Sequence, residues 1–124
     1  MGERVKIYVG HSSGFDCKQE LYQPLKESEL SQNHEFVFPH EDSDELFDSK
    51  TYFREECDLF VAEVSRASTG LGIELGWADQ FDVPILCVYR PGSNPSGSLK
   101  AVTDNIEVYE SSEDLISIIR NQVD

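Results

Sequence analysis

The sequence predicts an α/β fold in which a parallel sheet of five strands is covered by helices. Short runs of apolar and β-branched residues alternate along the chain with segments whose apolar residues recur at helical spacing. Runs of this buried character suit a sheet that is covered on both faces. We therefore expect a three-layer, doubly wound arrangement of the flavodoxin or Rossmann type, formed as one domain by residues 1–124.

The predicted strands are 5–9, 35–38, 58–64, 83–89 and 106–109. Pro39 ends the second strand and Pro84 opens the fourth, where a missing amide donor is tolerated. Glu63 lies near the end of the third strand, and its side chain is expected either to bond backbone in the crevice of the sheet or to be exposed.

Helices are predicted between the strands. Asp16 can cap a first helix that carries Leu21, Tyr22 and Leu25, and Pro24 is expected to kink or break it. The other predicted helices are 49–56, 71–81, 99–102 and a C-terminal helix capped by Ser111 or Ser112. The acidic segment 40–48 is predicted to be a loop, either solvated or acting as a lid.

Charge and composition exclude several classes of partner. The chain has 24 acidic and 10 basic residues, a net charge of −14, which disfavours binding to duplex nucleic acid. No apolar stretch has the length of a membrane span, so we expect no membrane partner. The three cysteines lack zinc spacing, which predicts reduced thiols in a cytoplasmic protein and no metal site.

Three loops follow predicted strands and should converge at the carboxyl edge of the sheet. They are 10–14, 65–74 and 90–100, and the first two are rich in Gly, Ser and Thr. Small residues let backbone amides approach an anion or a sugar, so Gly10, His11, Ser12, Ser13 and Gly70 are candidate ligand contacts. Neither loop is a complete phosphate-binding motif, and both could be ordinary turns.

Glu74 is the strongest candidate for a catalytic group. It is expected in the first turns of a largely buried helix, among small and apolar neighbours. A helix N-terminus favours the ionised carboxylate that a nucleophile needs, whereas burial acts in the opposite sense. A glutamate that only caps its own helix is the structural alternative, and both interpretations stay open.

Three blocks of sequence resemble the nucleoside 2-deoxyribosyltransferase family. They are Asp-Leu-Phe-Val-Ala-Glu-Val-Ser over 58–65, Ser-Thr-Gly-Leu-Gly-Ile-Glu-Leu-Gly-Trp-Ala over 68–78, and Pro-Ile-Leu-Cys-Val-Tyr-Arg-Pro over 84–91. The opening Ile-Tyr-Val-Gly over 7–10 also fits. The most similar branch is that of the 2′-deoxynucleoside 5′-monophosphate N-glycosidases. The resemblance implies an enzyme, a hydrolase or transferase of N-glycosidic bonds, without cofactor or metal.

The resemblance also implies roles for individual residues. Glu74 falls at the family's nucleophile, which forms a covalent glycosyl–enzyme, and Tyr8 falls at a tyrosine near the sugar. Ser68 stands where the nucleotide branch contacts phosphate. Ser98 or Lys100 lies near a segment that reaches into a neighbouring subunit's site, which implies a homodimer.

One position departs from the family. Lys50 stands where the family has an aspartate near the sugar, and Asp48, two residues earlier, could replace that aspartate only if the short helix shifts. Lys50 motivates one rival function, a nucleotide-binding module of the same fold without catalysis. The alternation of strands and helices allows a second, a signalling domain of the TIR class. The sequence alone does not choose the base, the sugar or the phosphate state.

Overall fold

The sheet has five parallel strands, and their order is that of a flavodoxin-type fold. The computed structural model describes residues 4–12, 21–39 and 48–123. The strands are β1 (Lys6–His11), β2 (Glu35–Val37), β3 (Leu59–Glu63), β4 (Ile85–Tyr89) and β5 (Ile106–Val108). They are arranged in the order β2-β1-β3-β4-β5, and every pairing is parallel. The predicted α/β fold is therefore confirmed.

Within the described residues, five α-helices and one short 3₁₀ helix connect and flank the strands. The α-helices are α1 (Gln23–Glu27), α2 (Leu30–Asn33), α3 (Ser49–Glu55), α4 (Thr69–Gln80) and α5 (Ser112–Val123), and the 3₁₀ helix is Gly97–Ala101. None of the helices in the described ranges is long and apolar enough to cross a membrane. The expected cap Asp16 and the expected loop 40–47 lie outside the described residues.

Capping side chains explain where the two longest helices begin. Ser68 accepts a hydrogen bond from the amide of Leu71, so α4 begins at Thr69, two residues before the predicted start. Ser111 accepts from the amide of Asp114 at 3.1 Å and caps α5, as one of the two predicted capping residues. Pro24 lies in the first turn of α1, where a proline is tolerated, and the π-helical residues Leu21 and Tyr22 come directly before this turn.

The core forms two layers, one on each face of the sheet. Alternate strand residues point to opposite faces. One layer joins Ile7, Val9 and Val61 to helices α1 and α5, and the other joins Tyr8 and Phe60 to α3 and α4. The predicted cover of helices on both faces is thus confirmed.

The carboxyl ends of the central strands lie at one level. Gly10 of β1 pairs with Ala62 of β3, and His11 pairs with Glu63, which in turn pairs with Val88 of β4. The loops that follow β1, β3 and β4 therefore leave the same edge of the sheet. After β2 the chain crosses to the other side of β1, so the strand order changes direction between β1 and β3. Sheets of this type bind their ligands at the carboxyl ends of the strands beside such a switch point.

Candidate active site

Tyr8 and Glu74 form the centre of the candidate site. Tyr8 is the third residue of β1, its side chain is buried, and its hydroxyl donates a hydrogen bond to the Glu74 carboxylate in the second turn of α4. The two residues are 66 positions apart in the chain. Glu74 is partly buried, so its carboxylate is held by a neutral donor while part of the side chain stays accessible.

Aromatic packing fixes the ring of Tyr8. Phe53 lies edge-on with its ring centroid at 4.8 Å, Phe60 lies edge-on at 5.4 Å, and Tyr52 is tilted at 5.9 Å. Burial, and then the negative charge of Glu74, raise the pKa of Tyr8 well above its ordinary value of 10.0. Tyr8 therefore stays a neutral O–H donor to Glu74 over the whole working range of pH.

Helix α3 brings a third residue, Ser49, to this pair. Ser49 is 4% exposed, and its hydroxyl acts to lower the pKa of the Tyr8 phenol, against the larger effects of burial and of Glu74. The neighbouring Lys50 is exposed. Asp48 is also exposed and caps α3, with one carboxylate oxygen accepting from the Thr51 amide at 3.2 Å and the other from its hydroxyl at 2.9 Å. The inward-facing residue at the start of α3 is therefore a serine.

The predicted contacts at the end of β1 are buried in the protein. His11 bonds the Ser12 carbonyl through Nδ1 and the Tyr22 hydroxyl through Nε2, both at 2.8 Å. Because Tyr22 belongs to the core layer of α1 and α5, His11 lies on the face of the sheet opposite Tyr8. Ser12 is 4% exposed, and Ser13 lies outside the described residues.

Gly10 has a packing reason to be glycine. A Cβ at this position would lie 2.7 Å from Cε1 of Phe60 and 3.2 Å from Cδ1 of Leu71. The absent side chain allows β1 to approach the first turn of α4. Gly10 thus brings the helix that carries Glu74 close to the strand that carries Tyr8.

A cavity of about 350 Å³ lies on the other flank of α4. It is bounded by the turn before α4, by one side of the helix, and by the loop that follows β4. Ser68 and Ser98 both line it, and Arg66 stands at its edge. The structure thus brings Tyr8 and Glu74 together on one flank of α4, and Ser68 and Ser98 together on the other.

Two further predicted residues are accessible. Gly70, in the first turn of α4, is exposed, and so is Lys100, in the 3₁₀ helix. Within residues 4–12, 21–39 and 48–123, no three His, Cys, Asp or Glu side chains gather as a metal site requires. The three cations Arg66, Lys50 and Lys100 are also exposed.

Comparison with known proteins identifies similar enzymes. The chain is 35% identical over 71 residues to "Putative 2'-deoxynucleoside 5'-phosphate N-hydrolase 1" of Syntrophotalea carbinolica, a match that covers 48% of this chain and 50% of that protein. It is 49% identical over 39 residues to the 5-hydroxymethyl-dUMP N-hydrolase of Homo sapiens, covering 32% of this chain and 22% of the human protein. The predicted resemblance to the nucleoside 2-deoxyribosyltransferase family is confirmed.

A solved structure shows the same fold. The CMP N-glycosidase BcmB of Clostridium botulinum superposes with a TM-score of 0.60 at 18% identity, over 93% of this chain and 98% of that one. The chain spans about half the length of the bacterial relative, and no protein-family model matches it. The names of these proteins agree with the expectation of an enzyme that acts on nucleotides.

The protein departs at the start of α3 from the nucleoside 2-deoxyribosyltransferase family that it resembles. Lys50, at the family's aspartate position, is exposed, whereas the adjacent Ser49 contacts Tyr8. We did not predict Ser49 from the sequence. The available signal is its phase: Ser49, Tyr52 and Phe53 recur at helical spacing and are the buried residues of α3.

Proposed function

We propose that this protein hydrolyses the N-glycosidic bond of a 2′-deoxynucleoside 5′-monophosphate, with Glu74 as the nucleophile. The observation that carries the proposal is the hydrogen bond from the buried Tyr8 hydroxyl to a partly exposed Glu74 carboxylate. The names of the similar proteins support the class of substrate.

Two displacements at the sugar make up the reaction. The Glu74 carboxylate attacks C1′, the C1′–N bond breaks with its electron pair leaving on the base, and an ester joins the sugar to Glu74. Water then attacks C1′, loses a proton to solvent and releases the carboxylate. Tyr8 orients the carboxylate before the attack, and its raised pKa keeps its proton in place throughout.

The departing base must also receive a proton. Asp48 remains the proposed acid, although it would have to give up its two bonds to Thr51 and leave its capping position. Ser68 is proposed to contact the 5′-phosphate, since its hydroxyl lies at the first turn of α4, where helix amides favour an anion. The proposed contacts of the sugar or phosphate also include Gly10, His11 and Ser12, through backbone atoms, and Ser13 and Gly70.

A homodimer is proposed as the active form. Ile73 projects from α4 with 49% of its surface exposed, one residue before the nucleophile. A second copy covering this side chain would bring a neighbouring Ser98 or Lys100 towards the site. Sedimentation of the wild type and of Ile73→Asp tests the pairing, because a buried charge in the interface should yield monomers.

The experiment that tests the reaction measures free base. The protein is incubated with each of the four deoxynucleoside 5′-monophosphates and with the unphosphorylated nucleosides, and the released base is separated by chromatography. We expect release from monophosphates, its loss in Glu74→Gln, and its retention in the control Glu107→Gln, which changes an exposed carboxylate on β5. Release by Glu74→Gln at the wild-type rate would refute the proposal.

A binding module without catalysis is the second candidate. The exposed Lys50 at the family's aspartate position and the capping role of Asp48 favour it. Titration calorimetry with the same monophosphates separates the two functions. Binding without release of base, in both wild type and Glu74→Gln, would support the module. A new deoxynucleoside 5′-monophosphate, formed from an added second base, would instead indicate transfer.

A further inference from the structure

Glu63 is a buried carboxylate that the proposed reaction does not use. It is the last residue of β3, and its side chain is 1% exposed. The amide of Ser65 donates to one oxygen at 2.7 Å, the Ser65 hydroxyl donates to the other at 3.0 Å, and the Tyr109 hydroxyl also donates to it. A buried carboxylate is costly unless it is bonded in this way, so a specific arrangement maintains it.

The bonds close into a ring through Arg90. The Arg90 amide donates to the Ser65 hydroxyl at 2.9 Å, and its Nε donates to the Tyr109 hydroxyl at 3.3 Å. Each of the two hydroxyls thus accepts from Arg90 and donates to Glu63. Hydrogen bonds that run in one direction strengthen one another at low dielectric. The ring ties together the carboxyl ends of β3, β4 and β5.

Two loops start from this ring. Ser65 begins the turn that leads to Ser68, the cap of α4, and Arg90 begins the loop that leads to Ser98. The turn and the loop form two walls of the cavity beside α4. The ring therefore sets how the two walls stand relative to each other and to the first turn of α4.

We propose that Glu63 is a positioning residue of the active site. Through Ser65, Tyr109 and Arg90 it fixes the turn before α4 and the loop after β4, and so holds Ser68 where a 5′-phosphate is to be bound. This inference rests on the proposed function, because it concerns binding of the same substrate. Glu63 itself touches neither the substrate nor Glu74 in this scheme.

A positioning role differs from a merely structural one in what it changes. Loss of a structural bond would lower stability and leave the kinetic constants of the folded enzyme alone. Loss of the ring should loosen Ser68 while Leu71 and Leu75 still anchor α4 in the core. We therefore expect KM to rise by roughly 10-fold or more, because misplaced binding groups typically have an effect of this size. The fall in kcat should be smaller than the rise in KM.

The test uses two ring variants and one control. Glu63→Gln keeps the shape but replaces an acceptor oxygen with a donor. Tyr109→Phe removes two bonds from the ring, the one to Glu63 and the one from Arg90, while keeping the core packing of the aromatic ring. Glu107→Gln changes an exposed carboxylate on β5. Hydrolysis of a deoxynucleoside 5′-monophosphate gives KM and kcat, and amide hydrogen exchange of 64–68 and 90–93 is measured without substrate.

For both ring variants we expect faster amide hydrogen exchange in 64–68 and in 90–93, together with a raised KM. The control Glu107→Gln should show neither change. Wild-type exchange or an unchanged KM in folded Glu63→Gln would overturn the inference, and Tyr109→Phe decides the matter in the same way if Glu63→Gln does not fold. A wild-type protein that releases no base refutes the proposed reaction separately. In that case KM is replaced by the dissociation constant for the same monophosphate.

Discussion

At the scale of single residues, the proposed function depends on the pair formed by Tyr8 and Glu74. A carboxylate on a helix and a phenol on a strand meet because Gly10 lets the two elements approach closely. The phenol is buried among aromatic rings, and its raised pKa makes it a donor that does not ionise. The carboxylate therefore keeps a constant hydrogen bond from Tyr8, while part of the Glu74 side chain stays exposed.

Tyr8→Phe tests that hydrogen bond. Removing the donor should lower kcat for base release by roughly 10- to 100-fold, since a hydrogen bond to a charged group contributes about 1.5–3 kcal/mol. The fold should persist, because the ring and its aromatic contacts remain. Tyr89→Phe, a partly buried tyrosine on β4, is the control and should keep the wild-type kcat. Equal rates in the two variants would contradict the assigned role of Tyr8.

Ser49→Ala tests the influence of Ser49 on the Tyr8 phenol. Ser49 influences the pKa of the Tyr8 phenol, so we propose that it acts on Glu74 through Tyr8. We expect a smaller loss in kcat of about 2- to 10-fold, which corresponds to a neutral hydrogen bond of about 0.5–1.5 kcal/mol. Arg54→Ala, an exposed change on the same helix, should have no effect. A double variant with Tyr8→Phe should be no slower than Tyr8→Phe alone, because Ser49 acts through Tyr8. Additive losses would show that Ser49 acts directly.

At the scale of elements, the approach of β1 to α4 is the contact on which the site depends. Gly10→Ala would place a methyl group 2.7 Å from the ring of Phe60, so the strand or the helix must shift. We expect a loss of about 1–3 kcal/mol in the free energy of unfolding, as overpacked cores show, together with lower activity. Urea unfolding measures the first effect.

Gly72→Ala is the matched comparison for Gly10→Ala. A Cβ at this position in α4 meets nothing within 4 Å, and alanine is the better helix former. This variant should therefore gain about 0.5–1 kcal/mol in the free energy of unfolding. A loss in both variants of similar size would mean that the contact with Phe60 is not the cause.

Sequence patterns predicted the elements well and the caps less well. Apolar runs such as 58–64 located all five strands to within a few residues, because burial on both faces leaves a strong signal. The start of α4 was predicted two residues late, since a serine cap has the composition of the loop before it. Helix α2, only four residues long, carries too little periodicity to be predicted.

In the candidate site, the sequence predicted the positions of single residues but not the contacts between them. The positions of Tyr8 and Glu74 were predicted by resemblance, but their contact depends on the register of β1 with β3 and on a glycine between them. Ser49 was missed because a serine at the start of a helix is normally read as a cap, although its spacing with Tyr52 and Phe53 placed it on the buried face. The ring around Glu63 spans residues 63–109, and no local pattern connects partners so far apart.

At the scale of the whole molecule, buried thiols and phenols make the fold sensitive to alkali. Burial raises the pKa of Cys57 and Cys87 from 9.0 to about 11, and burial raises the pKa of Tyr52 and Tyr109 above 10.0. The unfolded chain releases these protons first, at its ordinary pKa values. The free energy of unfolding should therefore fall as pH rises above about 9, by up to about 1.4 kcal/mol per pH unit for each group.

Urea unfolding at a series of values between about pH 8 and pH 11 measures this loss. Cys87→Ala removes one fully buried thiol and should make the decline shallower between about pH 9 and pH 11, whatever its effect at neutral pH. An unfolding free energy that stays level across the series would contradict the raised pKa values.

The strand order has a consequence for synthesis on the ribosome. β1 is made first and ends up inside the sheet, with β2 added along one edge and β3 along the other. β4 then adds beside β3, and β5 beside β4, so no strand must be inserted between two that are already joined. A nascent chain can thus extend its sheet outward as it emerges. The Tyr8 hydroxyl and the Glu74 carboxylate can meet before the last two strands, β4 and β5, are translated.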